Sequence, residues 1–181
     1  MVFINITKDA STLAAHMELF DKTGKSTGSG DSEIICTGQF IKVDMRTFIP
    51  TSSLSQFGNL KMTGDSKYLT YPVDIKAGQK LDDGMLNLNV GSVNQEIGKV
   101  QLNIINRMVE KSEKIETSAG SYNCFKISND IWLRIQMMGA SIPFKIKIVE
   151  WFAPKLGRFA KSETFDKDGK LIATTLLTAI N

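Results

Sequence analysis

The sequence predicts a mainly β protein, a single strongly curved antiparallel sheet or an incomplete β-barrel with little helix. Three observations carry this. Apolar and polar residues alternate over most of the chain, as in strands that bury one face. Gly-bearing turn signals recur at hairpin spacing. No stretch holds helical periodicity long enough to plug a barrel. With 181 residues and 42% hydrophobic composition, the chain fits one domain burying roughly 70% of its unfolded surface. Residues 1–12 are expected to be an extended or flexible N-terminal segment.

The first residues, M-V-F-I-N-I-T-K-D, hold an apolar run too short for a signal-peptide core, and no later run approaches the length of a membrane span. Leu13 to Phe20 reads as a strand, and the phrase F-D-K-T-G-K turns it; F-D-K-D-G-K returns at 165–170. In both, an Asp opens the turn, and Gly24 or Gly169 takes the left-handed position of a three-residue loop. A calcium loop on Asp166 and Asp168 is excluded, because the register places Thr164 and Thr175 where acidic ligands are required.

Strands are expected at Glu33 to Thr37 and at Phe40 to Ile49, where Ile41, Val43 and Met45 alternate with Lys42, Asp44 and Arg46. Residues 50–60, rich in Ser and Gly, form a loop or one short helical turn. Lys61 to Thr63 and Tyr68 to Tyr71 follow as strands, and Pro72 argues against a central sheet position. Turns at Lys76-Ala77-Gly78 and Asp82-Asp83-Gly84 precede strands at Met85 to Val90 and Val100 to Val109. Residues 103–114 have partial helical periodicity, but two Asn residues and the pair Ile104-Ile105 favour a strand.

The C-terminal third can be taken to register. Gly139 fits the first central position of a type II′ turn, pairing Met137 with Ile142, Ile135 with Phe144, Leu133 with Ile146 and Ile131 with Ile148. One face is then apolar, and the other carries Trp132, Arg134, Gln136, Lys145 and Lys147. The next turn, Pro154 to Gly157, suits type I and sets Phe152 against Phe159, Trp151 against Ala160 and Glu150 against Lys161. Glu150 falls on the apolar parity, so it needs a partner, and this register supplies Lys161.

Catalytic chemistry is hard to find. His16 is the single histidine, and no nucleophile elbow accompanies it. Gly28-Ser29-Gly30 lacks the Lys-Ser/Thr of a phosphate loop. Cys36 and Cys124 have no metal-ligand spacing; they could bridge in an oxidising compartment or remain buried thiols. No metal and no cofactor is expected. The net charge of +3 is too small to argue for nucleic acid. Lys145, Lys147, Lys155, Arg158 and Lys161 interleave with aromatics, as the solvated face of strands does.

Residues 117–127, T-S-A-G-S-Y-N-C-F-K-I, and 150–163, E-W-F-A-P-K-L-G-R-F-A-K-S-E, resemble a family of exported bacterial proteins of unknown function labelled TapB-like. Tyr71-Pro72, Lys76-Ala77-Gly78 and Leu81-Asp82-Asp83-Gly84 look like the same family's middle segment. The resemblance implies a periplasmic or envelope location with a removed signal peptide, and it carries no activity. The strand and turn order is also similar to half-barrel lipoprotein carriers, an analogy of fold.

The expected function is therefore a non-enzymatic envelope protein, monomeric, binding an apolar or lipid-like ligand or another envelope protein. The ligand face or core comprises Trp132, Met137, Phe144, Ile146, Ile148, Trp151 and Phe152. The alternative is an interaction or structural module with a filled core; a hydrolase ranks third.

Overall fold

The computed structural model describes residues 2–9, 12–20, 26–49, 61–92, 95–137 and 139–179. Gly24 and the segment 50–60 lie outside the described residues. The mainly β expectation holds. The described strands form two antiparallel sheets rather than one, and neither is closed into a barrel. Splitting is one way a many-stranded sheet avoids excessive twist.

The five-stranded sheet has the order β1-β2-β3-β4-β6, from Val2–Asp9, Thr12–Phe20, Ser26–Cys36, Phe40–Asp44 and Tyr68–Pro72. β1 pairs with β2 along its length, so most of the N-terminal segment expected to be extended or flexible belongs to the sheet. Pro72 closes β6 at a sheet edge, where a missing N–H costs no ladder bond.

The strand expected over Phe40 to Ile49 stops at Asp44 and gives way to a 3₁₀ turn, Met45–Phe48. The cause is local. Buried Asp44 accepts from the Arg46 backbone N–H at 2.9 Å and from Arg46 Nε at 2.8 Å, which ends the extended conformation.

The seven-stranded sheet has the order β12-β11-β10-β9-β8-β7-β5. In chain order these are β5 (Lys61–Thr63), β7 (Gly84–Ser92), β8 (Gln95–Thr117), β9 (Gly120–Met137), β10 (Ala140–Ala153), β11 (Arg158–Phe165) and β12 (Leu171–Leu176). Residues 103–114 lie within β8, as β-branched Ile104-Ile105 favours. The main core fills the space between the sheets: Ile41, Val43, Leu69 and Tyr71 of the first meet Leu102, Ile104, Ile127, Ile131 and Leu133 of the second. A smaller cluster of Cys124, Val149, Trp151, Ala153 and Ala160 lies on the opposite, outer face of the seven-stranded sheet.

Two registers differ from the sequence expectation. Met137 pairs with Ala140, so Gly139, at φ 82°, is the second loop residue and not the first of a type II′ turn. Phe144 then faces Leu133 and Ile146 faces Ile131, a slip of two residues that preserves the face of every side chain. At the next hairpin the Pro154 carbonyl accepts from the Gly157 N–H at 3.2 Å, and Gly157 is left-handed. A bulge at Trp151/Phe152 leaves Ala160 unpaired, sets Lys161 opposite Trp151, and sets Ser162 opposite Glu150. The turn at Gly169, φ 80°, has its Asp166 carboxylate accepting from the N–H groups of Asp168 at 3.0 Å and Lys170 at 2.9 Å.

The two thiols are free. A Cys36–Cys124 bridge does not form because Cys36 packs against the main core and Cys124 belongs to the outer-face cluster. Burial pushes the Cys124 thiol up to about 11. Unfolded, non-reduced protein should therefore titrate both thiols with a disulfide reagent; in the folded protein Cys36 should react first, and Cys124 at least about tenfold more slowly. A bridged protein would titrate neither.

Candidate functional site

The expected ligand-face residues divide between the two faces. Ile146, Ile148 and Met137 are half-buried against the main core, and Phe152 is fully buried in it, stacked on Tyr71 with ring centroids 4.7 Å apart. Phe144 lies on the same face beyond the part that the first sheet covers, and is exposed. Trp132 and Trp151 lie on the outer face, as period-two alternation requires. The face expected to be a concave ligand surface is thus largely filled by the five-stranded sheet.

A groove of about 550 Å³ lies on the outer face instead, within the range of small-molecule sites. Its apolar side-chain lining on this face is Trp132, Val149 and Phe165; Lys126, Lys145, Lys147 and Lys167 bring positive charge, and Glu110, Asp130 and Asp166 negative. Trp132 remains 46% exposed, although an exposed indole gains nothing from solvent contact. Lys145 Nζ lies 4.6 Å from its ring centroid.

The acidic groups here are committed to the protein. Glu110 pairs with Lys126 at 2.7 Å, which holds its carboxyl below the usual range. Asp130 accepts from Asn106 Nδ2 at 2.8 Å, and Asp166 serves its own turn. Among the described residues, Lys145 and Lys147 form no ion pair within 4.0 Å. The groups left to a ligand are two ammoniums and an indole.

Trp151, also expected to line a ligand face, is buried in the outer cluster. Its Nε1 donates to Glu113 Oε1 at 2.6 Å, and Lys161 Nζ covers its ring at 4.4 Å. The expected Glu150–Lys161 pair is not formed. Lys161 points to the outer face and pairs with Glu163 at 2.6 Å, whereas Glu150 points inward.

Glu150 belongs to a polar cluster that sequence reasoning missed. A bulge between Ile105 and Met108 in β8 places two residues opposite one on β9; Asn106 adopts φ 55° and Arg107 turns into the core. Arg107 Nη1 donates to the Asp82 carbonyl at 2.6 Å, Nε to Asn129 Oδ1 at 3.4 Å, and the guanidinium lies 4.6 Å from the Tyr71 ring centroid. Asn129 Nδ2 donates to Glu150 Oε2 at 2.8 Å. Among the described residues, Arg107 Nη2 and Tyr71 Oη have no hydrogen-bond partner. The one signal in the sequence is the break of alternation at I-I-N-R.

With this geometry the molecule is a two-sheet antiparallel β protein with a buried polar cluster and a basic, Trp-bearing groove. The chain belongs to the DUF3108-like family, whose model matches residues 3–177. Among curated proteins none matches. It is similar to a candidate lipoprotein of Parabacteroides distasonis, with TM-score 0.72 and 18% identity over 97% of this chain and 83% of that one. It is also similar to a candidate exported protein with a YmcC-like fold from Bacteroides fragilis, with TM-score 0.70 and 21% identity over 98% and 84%. At these identities the likeness is one of fold.

Burial pushes Glu150 up to about 7 from an ordinary 4.5, against the opposing pull of Arg107 and the Asn129 hydrogen bond. The folded state therefore holds this proton more tightly than the unfolded chain. The associated stability is full below about pH 4.5 and is lost as pH rises through about 7. Glu150→Gln should remove that dependence, worth about 3 kcal/mol across the window. Urea midpoints at several pH values would test it; identical slopes in both proteins would contradict the assignment.

Proposed function

We propose that the protein is an exported, non-catalytic component of the bacterial cell envelope that binds an amphipathic ligand with an acidic group and an apolar body. The TapB-like affinity within the DUF3108-like family belongs to the same reading. The observation that carries it is the sharing of one groove by exposed Trp132 and by Lys145 and Lys147, which have no ion pair among the described residues. The acyl part of such a ligand lies on Trp132, Val149 and Phe165, and its acidic group meets the two ammoniums. Similarity to candidate exported and lipoprotein chains supports the envelope location.

Calorimetric titration with oleate below its micellar concentration should give saturable binding. Trp132→Ala, or Lys145→Glu with Lys147→Glu, should weaken it by about tenfold or more, or about 1.4 kcal/mol. Native mass spectrometry of protein purified from its own envelope should show bound lipid-sized mass. Absence of both oleate binding and co-purified mass would overturn the reading.

A further inference from the structure

The seven-stranded sheet ends at β12, and all six residues of that strand are exposed. Leu171, Ile172 and Leu176 are 48%, 55% and 50% exposed, an apolar edge of the kind that pairs with another chain. Of the other described edges, β6 ends in Pro72, β5 has three residues, and β1 carries Lys8 and Asp9 in its sequence. The strand sequence, Leu-Ile-Ala-Thr-Thr-Leu, contains neither a proline nor a charge.

Its hydrogen-bonding direction follows from the register. Lys161 pairs with Leu176, Ser162 with Thr175 and Glu163 with Thr174, and the Leu177 N–H donates to the Ala160 carbonyl at 2.9 Å. Because hydrogen-bonded pairs alternate in an antiparallel ladder, Ala173 and Thr175 also direct their backbone groups to β11, while Thr174 and Leu176 direct theirs to the open edge. The bulge at Thr164/Phe165 lies at the start of β12 and leaves 173–176 regular.

We propose that β12 is a self-association edge, on which two copies of this chain pair antiparallel about a two-fold axis at Thr174 and join their seven-stranded sheets into one. This register places Thr174 opposite Thr174 and Ile172 opposite Leu176, both favourable cross-strand pairs, and brings no like charges of β12 together. It uses the outward N–H and C=O groups and closes as an isologous dimer. Nothing in the strand selects by charge for an unlike segment, whereas each apolar side chain here meets one of its own kind. This proposal departs from the expectation of a monomer.

The test uses the whole chain. Light scattering after size exclusion should show a dimer whose fraction rises with concentration. Thr174→Pro, which removes one outward donor at an exposed position, should give a monomer that melts with the wild type at dilutions where the wild type is itself monomeric. In a Cys36→Ser, Cys124→Ser background, Thr174→Cys should form a disulfide-linked dimer on mild oxidation, since the paired Cα atoms would lie about 5.5 Å apart, within the range a disulfide spans. Thr175→Cys, whose partner in this register is Ala173, should not. A wild-type chain that stays monomeric at its highest soluble concentration would overturn the proposal. So would a dimer that survives Thr174→Pro, equal cross-linking at 174 and 175, or a monomer that instead captures an unlike extended peptide on this edge.

Discussion

The arrangement of the two sheets depends on the bulge at Asn106–Arg107. β7 begins at Gly84, opposite Ile104, just before that bulge. Beyond Ile104 the segment 78–81 is the neighbour of β8, with Leu81 donating to the Arg107 carbonyl at 2.9 Å and Gly78 to that of Val109 at 2.7 Å. The same irregularity buries a guanidinium between the sheets, where only convergent acceptors make it tolerable. Asp82 and Asn129 supply them, and Tyr71 supplies a ring face. Because Tyr71 belongs to the five-stranded sheet and Arg107 to the seven-stranded one, the cluster fixes how the two pack. Stacking of Tyr71 on Phe152 and its edge contact with Phe159 at 5.7 Å extend the same contact into β10 and β11.

Strand parity then decides which residues can act. Along β9 and β10 one parity faces the first sheet and the other the outer face, where part of it is buried in the smaller cluster. The bulge at Trp151/Phe152 leaves Ala160 in the small outer cluster and sends Lys161 to the same side as Trp151. Glu150 is left on the inner side, with Asn129 as its partner. One side of the seven-stranded sheet thus becomes core and the other a surface with its own apolar patch and charge.

Among the described residues, that outer surface carries an exposed indole and the β12 edge an exposed apolar strand. In the groove, acidic groups are engaged by neighbouring donors while, among the described residues, the ammoniums of Lys145 and Lys147 are left beside an exposed indole. Along β12 the backbone itself is the unmet requirement.

Most strands and the alternation that assigns side chains to faces were legible in the sequence, but several limits were not: β3 starts at Ser26 rather than Glu33, β4 stops at Asp44, and β8 runs from Gln95 to Thr117. Turn residues such as Asp166 and Gly169 were legible because their conformations are satisfied within a few residues. The family phrase around Glu150 to Gly157 was legible for the same reason. The tertiary structure alone decided the division into two sheets, the burial of Arg107 and the partner of Glu150. Each depends on a one-residue irregularity in pairing between distant strands, and alternation within a single strand carries no record of how many residues its neighbour sets against it.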